Sequence, residues 1–179
     1  MQLFFSCVVH RDRTAVIGPL FDPTGVINRY LWGMATHILI GSDHAGIDLK
    51  HLLKDHLRAR GFEVTDKGTH IKDSVDYPDF AHPVADGVAR DPQVLGILIC
   101  GSGNGVNITA NKHTGVRSAL AWNPEIAALA RQHNNANILA LPARFITTEE
   151  ALRIVDAYMD ATFEGGRHLL RVNKIEASA

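Results

Sequence analysis

From Val94 to Ile99 the chain is apolar without alternation, and it closes on Cys100. A strand of this kind has no polar side to show to water, so it needs cover on both faces. Strands buried on both faces belong to parallel sheets wrapped by helices. The run leads directly into Gly101-Ser102-Gly103-Asn104-Gly105, a turn that opens a helix. Ligands bind at the strand ends of open α/β sheets. A helix start adds N–H groups without partners and a positive field, which stabilises a thiolate. Cys100 therefore reads as a site and not as a packed cysteine.

The rest of the chain repeats strand and helix from His37 onward. The first strand begins at His37-Ile38-Leu39-Ile40. Ile47, Leu49, Leu52, Leu53 and Leu57 then give a helix face between Ala45 and Arg60, stopped by Gly61. Phe62 to Thr65 predicts the second strand, with a turn at Lys67-Gly68-Thr69. Pro78 opens a helix to Ala89. After the Val94–Cys100 strand come a helix over 104–112, a strand over 116–121, a helix over 124–133 and a strand over 137–141. Leu152, Val155 and Met159 mark a long helix from Thr148 or Glu149 to Phe163, and a last helix starts near Arg167. The expected fold is α/β: a three-layer α/β/α sandwich around a five-stranded, parallel, Rossmann-like sheet. Right-handed crossovers put all carboxyl ends of the strands on one edge.

Residues 1–36 break the pattern. Gly18-Pro19, Asp22-Pro23 and Thr24-Gly25 interrupt each short apolar run there. This segment reads as an irregular extension; a genuine extension, an expression remnant and a start read upstream of Met34 all fit it. The remaining length suits one domain, residues 37–179. A net charge of −1 advertises neither nucleic acid nor an acidic membrane surface as a partner. No stretch approaches the roughly 20 apolar residues of a membrane span, and Met1–Val9 lacks the basic start and cleavage site of a signal peptide. Cys7 and Cys100 form no disulfide framework, so reduced thiols and a cytoplasmic location are expected.

One edge of the predicted sheet collects Ser42-Asp43-His44, Cys100-Gly101-Ser102 and Arg144. Each has an ordinary reading when taken alone. Asp43 suits a helix N-cap, His44 a half-exposed turn, and the glycine loop a tight turn. The loop is neither a dinucleotide fingerprint, since Val106 stands where glycine is needed, nor a Gly-Lys-Ser phosphate loop. His133 suits a cation at a helix C-terminus. Arg167 and Arg171, four residues apart on one helix face, fit either a solvated basic face or a phosphate clamp. His51, His56, His70, His82 and His113 show no metal-ligand spacing, so no metal is expected.

Five motifs in order, together with Glu164-Gly165-Gly166-Arg167-His168, strongly resemble type B ribose-5-phosphate isomerases. They are Gly41-Ser42-Asp43-His44-Ala45-Gly46, Asp66-Lys67-Gly68-Thr69, Asp76-Tyr77-Pro78, Gly96 to Gly103, and Arg131-Gln132-His133-Asn134. The resemblance runs from about His37 to Glu176, and the family also holds the galactose-6-phosphate isomerase subunits. It implies conversion of ribose 5-phosphate to ribulose 5-phosphate without cofactor or metal, placing 37–179 as a sugar-phosphate isomerase domain. By that resemblance Cys100 is the base that moves a proton between C2 and C1, and His133 the acid/base that opens the furanose ring. Ser102, at a position the family often fills with threonine, joins Gly101, Gly103, Asn104 and Gly105 in holding the enediolate oxygens. Asp43 and His44 contact the sugar or its phosphate, Tyr77 lines the sugar and Asn134 supports it. Arg144, Arg167 and Arg171 hold the phosphate. The resemblance also implies a homodimer, or a tetramer, with sites at the subunit interface.

The chemistry is consistent on its own terms. Removing a proton beside a carbonyl needs a base with a pKa near the working pH and donors where enediolate charge develops. No Glu or Asp lies between Cys100 and Lys112 to replace the thiol. A non-catalytic sugar-phosphate-binding subunit would have lost Cys100 and His133. A nucleotide-binding domain lacks its fingerprint here. The stronger rival is an isomerase of another sugar phosphate (allose, galactose or tetrulose phosphate), a choice on which Asn104, Trp122 and His70 bear.

Overall fold

Strand and helix alternate through residues 37–176, the residues that the computed structural model describes. The expectation for residues 1–36 lies outside the described residues. Five strands form one sheet: β1 (His37–Ser42), β2 (Glu63–Asp66), β3 (Val94–Cys100), β4 (Ser118–Leu120) and β5 (Ile138–Pro142). Their order is β2-β1-β3-β5-β4, and every neighbouring pair is parallel. Six helices make the connections: α1 (Ile47–Ala59), α2 (Pro78–Arg90), α3 (Asn104–Ala110), α4 (Pro124–Asn134), α5 (Thr148–Asp160) and α6 (Gly166–Val172).

β3 explains why its sequence does not alternate. Leu95, Ile97 and Ile99 pack with Leu53 and Leu57 of α1 and with Ile154, Val155 and Tyr158 of α5. Val94, Leu98 and Cys100 point the other way, into the cluster with Val84 and Val88 of α2 and Val106 and Ala110 of α3. Both faces are covered, as the apolar run requires. At roughly 25 cal/mol per Å² of apolar surface, a strand buried on both faces contributes about twice what a half-exposed one would. The chain winds outward from β1 to β2, then crosses back to place β3 on the other side of β1. The carboxyl ends of β1 and β3 thus flank the point where the winding reverses, which is where open α/β sheets form a crevice.

Several boundaries differ from those expected. The helix expected to reach Phe163 ends at Asp160, because Ala161 turns extended (φ −77°, ψ 144°) and the chain crosses back toward α4. Thr147 and Glu150 form a reciprocal capping box at the start of α5. β4 pairs over three residues only, at the edge of the sheet. On α1, Leu52 is exposed and Lys50 takes a place in the buried stripe with Ile47, Leu53 and Leu57. Lys50 tolerates this because its Nζ donates to Asp66 Oδ1 (2.7 Å) and to the Thr69 carbonyl (2.6 Å).

Candidate active site

The end of β1 is fixed from both sides. Asp43 N–H donates to the Ile99 carbonyl (3.1 Å), Ser42 N–H to the Gly68 carbonyl (2.7 Å), and Thr69 N–H to the Ser42 carbonyl (2.6 Å). The 66–69 turn is held in turn by Asp66, which accepts from Gly68 N–H (3.0 Å), Lys50 and Lys54 (2.8 Å). Burial alone would raise the Asp66 pKa, but the lysine and Gly68 hydrogen bonds and the Lys50 charge outweigh it and lower it to about 2. Asp43 Oδ1 accepts from Ala45 N–H (2.9 Å), so the N-cap reading is correct, here for the 3₁₀ turn His44–Gly46. His44 Nδ1 accepts from Val75 N–H (3.3 Å), which puts the ring hydrogen of the neutral form on Nε2.

Cys100 is buried at the end of β3, and its Sγ accepts from the N–H of Gly103 at 3.1 Å. That donor exists because Gly103 adopts φ +73°. A Cβ there would meet Leu120 Cδ1 at 2.4 Å and the backbone of Leu141 and Pro142 at 3.1 and 3.2 Å. The loop thus aims an N–H at the sulfur from the N-cap of α3. Ser102 Oγ accepts from Asn104 N–H (3.4 Å), which leaves its hydroxyl hydrogen available. Ala143 N–H donates to the Cys100 carbonyl and Arg144 N–H to the Gly101 carbonyl, so the β5 exit and the glycine loop lie side by side. The Arg144 guanidinium rests on Gly101, within 3.4 Å of where a Cβ would be. The Tyr77 ring lies still closer to Gly105, 2.7–2.9 Å from a Cβ position. Asp43, His44, Tyr77, residues 100–105 and Arg144 thus gather at the carboxyl edge.

The other expected residues stand elsewhere. α4 starts at the carboxyl edge beyond β4 and ends at Asn134, just before β5 begins at the amino edge. At 1.5 Å per residue this helix alone spans about 16 Å. His133 and Asn134 therefore sit at the opposite edge of the sheet from Cys100. α6 packs against α4 and brings Arg167 and Arg171 to that same edge. There the His133 and His168 rings stack with centroids 4.2 Å apart and planes 8° apart. Glu164 Oε2 lies 3.8 Å from His133 Nε2 and 3.6 Å from His168 Nε2. Within one chain the two sets of residues share no pocket.

Among the described residues, two groups of side chains come close enough to hold a metal ion, although their sequence spacing does not suggest it: His51, Asp66 and His70, and His133, Glu164 and His168. In the first, Asp66 is already neutralised by two lysine ammonium groups. In the second, nearly parallel rings aim their nitrogen lone pairs side by side and not at one point. Neither donor set suits a metal. Sequence reasoning assigned no role to Lys50 or His168. The signal for Lys50 was its place three residues beyond Ile47 on the apolar stripe; for His168 there was only its place within a shared motif.

A family model described as Ribose/Galactose Isomerase matches residues 38–175. The chain belongs to this family. Among Ribose/Galactose Isomerase relatives, it is 50% identical over 144 residues to a probable ribose-5-phosphate isomerase B of Mycoplasma genitalium, covering 79% of this chain and 95% of the relative. The ribose-5-phosphate isomerase B of Escherichia coli is 48% identical over 140 residues, covering 78% of this chain and 94% of the relative. The crystal structure of the Mycoplasma genitalium enzyme with bound ribulose-5-phosphate superposes with a TM-score of 0.77 at 50% identity, covering 79% of this chain and 95% of that one. A Thermotoga maritima ribose 5-phosphate isomerase superposes with a TM-score of 0.76 at 48% identity, covering 78% and 97%. The five-stranded parallel α/β sheet expected from sequence is the fold of this family.

Proposed function

We propose that this chain interconverts ribose 5-phosphate and ribulose 5-phosphate through an enediolate, with Cys100 as the base. The observation that carries the mechanism is the Gly103 N–H on the Cys100 sulfur, at the crevice where the winding of the sheet reverses. The thiolate takes the proton from C2 of the open-chain aldose and returns it to C1, while the hydroxyl proton on O2 passes to O1. Ser102 O–H and the loop N–H groups of residues 101–105 hold the oxygens on which charge develops. This division of labour calls for no metal or other cofactor. Asp43, His44 and Tyr77 hold the sugar beside the loop, and Arg144 adds a cation over it. Phosphate binding, remote from the reacting carbons, supplies the energy that orients them.

The acid/base His133, with Asn134, Arg167 and Arg171, reaches this crevice from a second copy of the chain. The opposite-edge placement within one chain supports such a homodimer. So do exposed apolar side chains at both edges, Trp122 and Phe145 at one and Leu170 at the other. The functional setting is the cytoplasm, where the Cys100 thiol stays reduced. Among the described residues no helix is long and apolar enough to cross a membrane.

The test is steady-state isomerisation of ribose 5-phosphate by the purified protein with EDTA present, beside allose 6-phosphate and galactose 6-phosphate. Preference for ribose 5-phosphate is the expected result. Preference for a hexose phosphate would keep the chemistry and change the substrate, and no turnover of any would overturn the isomerase reading.

A further inference from the structure

His168 belongs to none of the roles above, yet it touches two residues that do. It is buried, at 7% exposure, while the His133 side chain stacked on it is 36% exposed. His168 is therefore the inner surface against which His133 rests. Arg167 Nε–H donates to His168 Nε2 at 3.4 Å. A ring nitrogen that accepts a hydrogen bond carries no proton, so His168 is neutral with its hydrogen on Nδ1. Its surroundings agree: desolvation, followed by the charges of His133, Arg167 and Arg171, lowers its pKa, and only Glu164 opposes them. Glu164 comes from the segment between α5 and α6, where its own N–H is tied to the Gln132 carbonyl on α4 (3.0 Å). With Nε engaged, the two terminal nitrogens of Arg167 remain for a bidentate phosphate contact, and Arg171 lies one turn further along the same face.

We propose that His168 is a positioning residue with two separable actions: its ring face orients the acid/base His133, and its Nε2 orients the phosphate-binding Arg167. This rests on the isomerase reading, in which both of those residues serve one substrate.

The two actions come apart by substitution. His168→Phe keeps a flat ring for the stack and cannot accept from Arg167. His168→Gln can accept from Arg167 and cannot stack. With ribose 5-phosphate as substrate, His168→Phe is expected to raise KM about tenfold with kcat within about threefold. His168→Gln is expected to lower kcat about tenfold with KM within about threefold. Arg167→Ala, outside the stack, reads the phosphate action a second time and should raise KM without lowering kcat, so the contrast with His168→Gln survives if the phenylalanine variant fails to fold. Parallel losses in kcat and KM that follow the melting temperature, a reversed pattern, or no change beyond about twofold would each overturn the proposal. A wild-type chain without turnover overturns the isomerase reading itself; an active wild type without the split overturns only the action of His168.

Discussion

Cys100 and Gly103 form one device, a sulfur and the N–H that polarises it, and each half has a separate signature. Cys100→Ala removes the proposed base and no proposed phosphate contact. It should lower kcat by at least about 10²-fold, the lower range for general acid–base catalysis, while KM stays within about threefold. Turnover within about tenfold of wild type would remove Cys100 from that role. Gly103→Ala keeps the thiol but forces a Cβ into a left-handed residue already against Leu120 and the Leu141–Pro142 backbone. A loss of about 2 kcal/mol in urea unfolding is expected, together with a fall in kcat. Unchanged stability would mean that the β5 exit gives way more easily than its packing implies.

At the scale of elements, the 66–69 turn is what couples α1 to the end of β1, and Asp66 is its charge-bearing centre. Its folded pKa of about 2 lies below the ordinary aspartate value of 3.8. Protonation is therefore harder in the folded state, and the resulting stabilisation is present above about pH 4 and lost as pH falls toward about 2. The shift corresponds to about 2 kcal/mol. Urea unfolding of wild type and Asp66→Asn should differ by a constant amount from pH 7 to 5, and the gap should narrow below pH 4; a gap independent of pH would exclude Asp66 as the titrating group. This network was hidden from a reading of the sequence, whereas the sheet was not. The non-alternating Val94–Cys100 run and the glycines after it are local signals, so β3 and its turn could be placed from neighbours alone. Lys50 depends on a carboxylate sixteen residues away, and periodicity favoured Leu52 because it counts apolar residues and not paired charges. The early end of α5 was equally opaque, since Ala161-Thr162-Phe163 carries no proline or glycine to announce it.

For the whole molecule, the separation of Cys100 from His133 follows from alternation itself: a helix that precedes a parallel strand must end at that strand's amino edge. This much was readable in the sequence, where the edge that collects Asp43, His44, Cys100 and Arg144 does not include His133. The stack of His133 on His168 was not readable, because it depends on how α6 docks on α4. The division makes a sharp test. Cys100→Ala and His133→Ala chains should each be inactive as homodimers. When they are unfolded together and refolded at equal amounts, half the dimers are mixed, and each mixed dimer holds one intact site. About a quarter of wild-type activity should return, and no recovery would place both groups in one chain's site. Carrying half of each site at either edge, as proposed, would also change how such an enzyme behaves in a cell. In the proposed dimer an isolated chain would hold two fragments and no catalyst, so specific activity should vanish on sufficient dilution, in step with dissociation. Two defective alleles, each harmless to the other's good edge, can together sustain growth that neither supports alone.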